Sequence, residues 1–278
     1  MNTAISRLGV AGSIALGVIC LFLLAIIFAP YVAPFPEQGV GDPNIASRLL
    51  PPSPEHWLGT DAFGRDILSR VIYGGRVSVT IGVTVVIIGL CIGLPVGIVA
   101  GYSGGWIDET LMRITDVFLA FPALLLAVLV AAALGAGMWN CIIAISISWW
   151  PWYARMARSE VLVLRGQPYV EAAQVMGVSH PVILVRHILP AVFRPLSVQG
   201  ALDFGPALLT GSALSFLGLG VRPPTADWGE MVNAGRAVFP DRWWIAVMPG
   251  LTIFIIALAF SMLGDAVRDA EKSGSHDH

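Results

Sequence analysis

Tyr169-Val170-Glu171-Ala172-Ala173-Gln174-Val175-Met176-Gly177-Val178-Ser179-His180-Pro181-Val182-Ile183-Leu184-Val185-Arg186-His187-Ile188-Leu189-Pro190 is an island in this sequence: the runs around it read as membrane, and it does not. It reads as a short helix, a break at Gly177, and a second helix with Ser179 as N-cap and Pro181 in its first turn. Gly177 suits the left-handed residue that closes the first helix, and Pro190 stops or kinks the second. Helices this short are marginal in water without tertiary support, so the stretch must dock on something. Ala172 and Ala173 leave the first helix poor in side chains, which lets another backbone approach closely. Glu171 beside them offers a charged anchor.

The composition around this island is that of an integral membrane protein. Hydrophobic residues make up 56% and charged residues 12% of the chain, where soluble domains carry about 25% charged residues. A net charge of -2 with dispersed arginines gives no nucleic-acid signature. Cys20, Cys91 and Cys141 lie in apolar runs without paired spacing, and His56, His180 and His187 show no ligand spacing. No metal or cofactor is expected.

Outward from the island, the uncharged runs give the membrane crossings. Residues 8–29 form a first span preceded by Arg7, longer than the apolar core of a signal peptide, which is the rival reading. A mixed-charge, Pro-rich segment follows to Arg76, with Trp57 suited to a membrane interface. The second span, 77–99, places Gly89, Gly93 and Gly97 on one close-packing face, with Pro95 bending it. Arg113 and Asp116 stand three apart, able to pair on one helix face. Between Asp116 and Arg155 no residue is charged, a length that suits two spans, 117–134 and 138–153, joined near Gly135–Asn140. Pro122 falls in the first turns of the third span, and Trp149, Trp150 and Trp152 resemble an aromatic belt where the fourth leaves the bilayer.

The segment 154–194 carries Arg155, Arg158, Arg165, Arg186 and Arg194 against Glu160 and Glu171. The positive-inside rule makes it cytoplasmic, in agreement with an inside N-terminus after four crossings. The fifth span, 196–219, holds the only acid in an apolar core, Asp203, which is by default a functional-site candidate. Residues 221–242 return outside as a loop and short helix, and 243–263 form the sixth span. The expected fold is therefore all-α: six transmembrane helices, both termini inside, and one long cytoplasmic loop between helices four and five. Three regions are expected: an N-terminal helix with its external segment (1–76), a five-helix core (77–264) and a cytoplasmic tail (265–278).

Three motifs carry a family resemblance. Glu171-Ala172-Ala173, Gly177 and Ile188-Leu189-Pro190 resemble the EAA loop of ATP-binding-cassette importer permeases. His56-Trp57-Leu58-Gly59-Thr60-Asp61-Ala62-Phe63-Gly64-Arg65-Asp66-Ile67-Leu68-Ser69-Arg70 resembles the LGTD/GRD/LSR signature of the dipeptide, oligopeptide and nickel branch, in the subunit type with an extra N-terminal region. Pro223-Pro224 with Asp227-Trp228-Gly229-Glu230-Met231, and the Gly264-Asp265/Arg268-Asp269 exit, fit the same branch. The resemblance implies a non-enzymatic permease subunit for peptides, with nickel chelates or glutathione-like peptides as alternative cargo. It also implies a homologous second permease, two cytoplasmic ATP-binding subunits and an external or periplasmic substrate-binding protein. Tyr169, Glu171, Ala172, Ala173, Gly177 and Pro190 are the expected ATPase-coupling residues, and Asp203 the expected pathway residue.

Residue chemistry favours that division of labour. Lys272 is the only lysine and follows no glycine-rich loop, so the chain cannot build a P-loop phosphate cradle. An intramembrane protease is disfavoured because no HExxH occurs and Gly211-Ser212 lacks the second glycine of a nucleophile turn. A proton-coupled secondary transporter would rely on buried acids, and Asp203 alone is thin support.

Overall fold

The structure, a computed structural model, describes residues 9–274, with side chains through residue 267. Arg7, Leu8, the Arg268 and Asp269 side chains, and the closing Ser275, His276, Asp277 and His278 lie outside the described residues. The described chain is helical without a β-strand: α1 Gly9–Ile27, α2 Ile67–Ser103, α3 Gly105–Leu119, α4 Ala123–Leu134, α5 Met138–Arg165, α6 Pro168–Val175, α7 Leu189–Phe216, α8 Trp228–Arg236 and α9 Trp244–Gly274. Single helical turns at Ala29–Val32, Pro36–Val40 and His180–Ile183 fill the connections.

Among the described residues, four helices are long and apolar enough to cross a membrane: Gly9–Ile27, Ile67–Ser103, His180–Phe216 and Trp244–Val267. A fifth is reached if α3 and α4 count as one broken span. Of the six crossings expected, the fourth falls in the first half of α5, which its tryptophans, Pro151 and Arg155 make less apolar than the others. The third is not one helix: α3 and α4 meet at 83°. Pro122 accounts for the break, because it cannot donate to the preceding turn and pushes Phe121 out of helical geometry. Pro95, by contrast, leaves the 37-residue α2 uninterrupted.

Two compact units divide the chain. The first comprises residues up to Val83, Ala131–Ile142 and Phe204 onward. Here α1 packs on α9 through Ala15, Ile19 and Ala259. A second cluster gathers Ile67, Val71, Phe204, Leu208, Trp228, Met231, Trp244 and Ile256. Trp228 is fully buried and its indole donates to the Val71 carbonyl at 2.8 Å, satisfying the one polar atom that its burial would orphan. Asn140 donates to the Leu134 and Gly135 carbonyls, closing the end of α4.

The second unit comprises Thr84–Val130 and Ile143–Asp203. Its seam is the glycine face of α2. A β-carbon at Gly93 would lie 2.6 Å from the Trp150 carbonyl oxygen, one at Gly89 2.8 Å from the Tyr153 ring, and one at Gly101 2.8 Å from Val161 Cβ. Gly97 sits against the Ala154 carbonyl in the same way. The spacing read from the sequence thus brings two helix backbones together, where packing rather than solvent exclusion holds helices in lipid. The tryptophans do not form an even belt: Trp150 is buried and meets Phe118 edge-on at 5.4 Å, whereas Trp152 is exposed.

Candidate functional site

The 169–190 elbow belongs wholly to the second unit, and its inner face is core. Val170, Ala173, Ile183 and Ile188 are buried against Leu94, Ile98, Ala157 and Val161. Each fully buried aliphatic side chain of this kind contributes about 1.5–3 kcal/mol where the alternative is water. The first helix, α6, starts with Pro168 in its first turn and ends as expected at Gly177, whose φ is +78°. The Gly177 amide donates to Gln174 O at 3.0 Å and the Val178 amide to Ala173 O at 3.1 Å, a Schellman closure with Val178 packed over Ala173. Ser179 stands at the N-cap of the next turn with extended backbone, although its hydroxyl makes no cap hydrogen bond.

Two readings of the elbow are corrected. Ala172 and Ala173 do not share an open face: Ala173 is turned into the chain's own core and Ala172 is exposed. Pro190 does not stop the helix. The preceding residues Leu184–Ile188 widen into a π-helical turn, in which the Leu189 amide bonds to Leu184 O, and α7 continues through the proline. The wider turn absorbs the hydrogen bond that Pro190 cannot make. What the elbow presents outward is Glu171, Ala172, Val175 and Met176, with Tyr169 half-exposed near His187. Val175 is 89% and Met176 75% exposed.

Contacts between residues far apart in sequence join α3 to α5 and α2 to the elbow. Arg158 holds Asp108 with two hydrogen bonds, 2.5 and 2.7 Å. Tyr102 Oη lies 2.7 Å from His180 Nδ1. Arg113 pairs with Glu109 at 2.6 Å instead of with Asp116, which pairs with Arg155 at 2.5 Å. The four-residue helical step brings Glu109 under Arg113, while Asp116 points to α5.

A second cluster of charges lies in the first unit and is buried. Asp61 accepts from the Arg65 guanidinium at 2.7 Å and from two backbone amides, and Arg70 Nε stands 3.6 Å from the same carboxylate. Arg70 also donates to the Pro224 carbonyl at 3.2 Å and approaches Glu230 at 3.6 Å. Asp66 joins His56 at 3.0 Å and accepts from the Ser69 amide and hydroxyl. Asp227 caps α8 through the Glu230 amide and accepts from Ser78 at 2.8 Å. Burial pushes the Asp227 carboxyl up, against hydrogen bonds from Ser78 and backbone amides that pull it down. Burial likewise raises Glu230, opposed by Arg70 and Arg65. The LGTD/GRD/LSR motif is therefore a structural knot, with only Trp57 and Phe63 exposed. Asp227, three residues before Glu230, carried a capping signal in the sequence; the pairing of Asp108 with Arg158 carried none.

Asp203 is half-buried in α7, and Gln199 one turn earlier donates to it at 2.8 Å. The buried Tyr153 lies within electrostatic reach of the same carboxylate.

Long apolar helices define a multi-span membrane protein, and its core-anchored elbow presents apolar residues outward. Residues 93–270 match the family described as binding-protein-dependent transport system inner membrane component, and the chain belongs to that family of ABC importer permeases. It is accordingly a multi-pass inner-membrane protein, and the family implies an ATPase and a substrate-binding protein as partners. The chain is 41% identical to a dipeptide transport system permease protein DppC of Alkalihalophilus pseudofirmus, covering 95% of this chain and 85% of that one. It is 43% identical to a probable D,D-dipeptide transport system permease protein DdpC of Escherichia coli, covering 91% and 84%. A glutathione transport system permease protein GsiD of Escherichia coli is 44% identical, covering 95% and 86%. Among solved structures, an inward-facing MetNI methionine ABC transporter matches with a TM-score of 0.57 at 18% identity, covering 71% of this chain and 94% of that one. At that identity the likeness is one of fold.

Proposed function

We propose that this chain forms, with a homologous second permease, the pathway by which peptides of the dipeptide or oligopeptide class enter the cell. Two cytoplasmic ATP-binding subunits drive the cycle, and an external binding protein delivers the cargo. Both termini and the elbow face the cytoplasm. The observation that carries this reading is the elbow itself: Val170 and Ala173 anchor it in the core while Glu171, Ala172, Val175 and Met176 stand exposed. An apolar patch of this kind in water calls for a partner.

Tyr169, Glu171, Ala172, Ala173, Gly177 and Pro190 act together in coupling. Tyr169, Glu171 and Ala172 meet the ATPase, Ala173 anchors the helix, Gly177 ends it, and Pro190 starts the return into the membrane. ATPase closure moves α6 as a lever, α5 and α7 move with it, and the cavity between the permeases changes the side to which it opens. Asp203, counted at about 1.5 Å per residue from the cytoplasmic edge, stands roughly 10 Å deep, where an ionised acid belongs beside a water-filled path.

Relatives named for dipeptide and for glutathione transport support a peptide cargo, and glutathione is itself peptide-like. The test is uptake into proteoliposomes holding the full set of subunits. ATP-dependent accumulation of the peptide that the cognate binding protein retains is expected. Accumulation driven by a proton gradient without ATP would instead support the secondary-transporter reading.

A further inference from the structure

The chain on both sides of α6 closes on one residue of α2. Arg165, the last residue of α5 before the elbow, donates to the Tyr102 carbonyl at 3.3 Å. His180, which opens the second helical turn, meets the Tyr102 hydroxyl at 2.7 Å, and the two rings touch edge-on at 5.6 Å. The Tyr102 side chain packs against the same apolar cluster that holds Val170, Ala173 and Ile183. One residue earlier, Gly101 lets α2 approach Val161 of α5.

We propose that Tyr102 is a positioning residue that pins the chain on both sides of α6. The end of α2 then belongs to the lever and moves with it, in addition to α5 and α7. The proposal rests on the ATPase-coupling reading given above. It adds that coupling fails when the pin is removed, even though neither Tyr102 nor His180 needs to touch the ATPase. The physical ground is geometric. Arg165 and His180 flank α6, so a hub bonded to both fixes the direction in which α6 can move. A loop tied at one end only would swing without transmitting force.

The experiment uses the complete transporter in proteoliposomes and reads ATP hydrolysed per peptide imported. Tyr102→Phe removes the hydroxyl and keeps the ring; His180→Phe removes the ring nitrogen that meets it and keeps the edge-on contact. Each is expected to raise the ratio roughly 2- to 10-fold, the range corresponding to one ordinary hydrogen bond. The double variant is expected to do no worse than either single one, and His180→Gln, which restores a polar partner, to recover most of the loss. An unchanged ratio in either single variant overturns the proposal, and so do additive effects in the double variant. Should Tyr102→Phe lower the amount of assembled complex, the ratio measured for His180→Phe, a change at an exposed position, decides between the outcomes by itself. A purely structural role would lower assembly and leave the ratio unaltered, which also counts against the pin. If the unaltered transporter shows no ATP-dependent uptake, the coupling reading itself fails, a result distinct from all of these.

Discussion

The Arg70 cluster and the elbow both lie outside the long apolar runs, yet one is closed and the other open. In the first, Asp61, Arg65, Asp66 and Arg70 are buried, and their partners come from the same chain. In the second, Val170 and Ala173 are buried but Glu171, Val175 and Met176 are left to solvent. A closed cluster spends its hydrogen bonds on holding helices and loops together. An open face on a well-anchored helix is a surface awaiting a partner. Substitutions in the two regions should therefore separate cleanly, stability on one side and transport on the other.

The largest effect is expected at Arg70. Arg70→Ala leaves Glu230 buried without its paired cation and Asp61 with Arg65 alone, and breaking a buried pair of this kind costs about 3–5 kcal/mol. Thermal unfolding of the detergent-solubilised chain should show the loss, and an unchanged unfolding temperature would deny the cluster its structural role. Gly93→Leu comes next, since its side chain must displace the Trp150 backbone; overpacking of this kind costs about 1–3 kcal/mol. The elbow should show the opposite pattern. Glu171→Ala is expected to shift stability by less than about 0.5 kcal/mol, as for other exposed sites, while reducing peptide uptake several-fold. Equal losses of stability and uptake would erase the contrast.

The smallest effect is a pH dependence confined to the closed region. Asp227 and Glu230 both have carboxyls raised by burial. The native state then binds more protons than the unfolded chain between the unfolded and folded pKa values, so stability falls as pH rises through that window. Unfolding temperatures measured from acid to neutral pH should decline accordingly, and Asp227→Asn should flatten the decline.

Much of the architecture was legible because membrane helices announce themselves by length and apolarity. The Gly177 break, the Pro181 turn and the Gly89-Gly93-Gly97 face followed from local chemistry, and the structure places each as read. Distance in sequence hid the rest. Nothing in the order of residues ties Arg70 to Glu230, Tyr102 to His180, or Asp108 to Arg158. Nor does local pattern tell whether a proline is absorbed, as at Pro95 and Pro190, or breaks a helix, as at Pro122, because neighbouring packing and the option of a π-turn decide it. The burial of Ala173 was similarly out of reach: the Glu-Ala-Ala triplet names small residues without saying which one faces inward.

The proposed coupling depends on where the elbow's open face points and what it meets. Ala172→Cys, placed in the assembled transporter in inside-out and right-side-out vesicles, tests this directly through labelling with a membrane-impermeant thiol reagent and cross-linking to the ATP-binding subunit. Labelling only from the cytoplasmic side, blocked when the ATPase is bound and replaced by a cross-link to it, is the predicted result. Labelling from the outer side, or free labelling with the ATPase in place, would contradict the coupling role of the elbow.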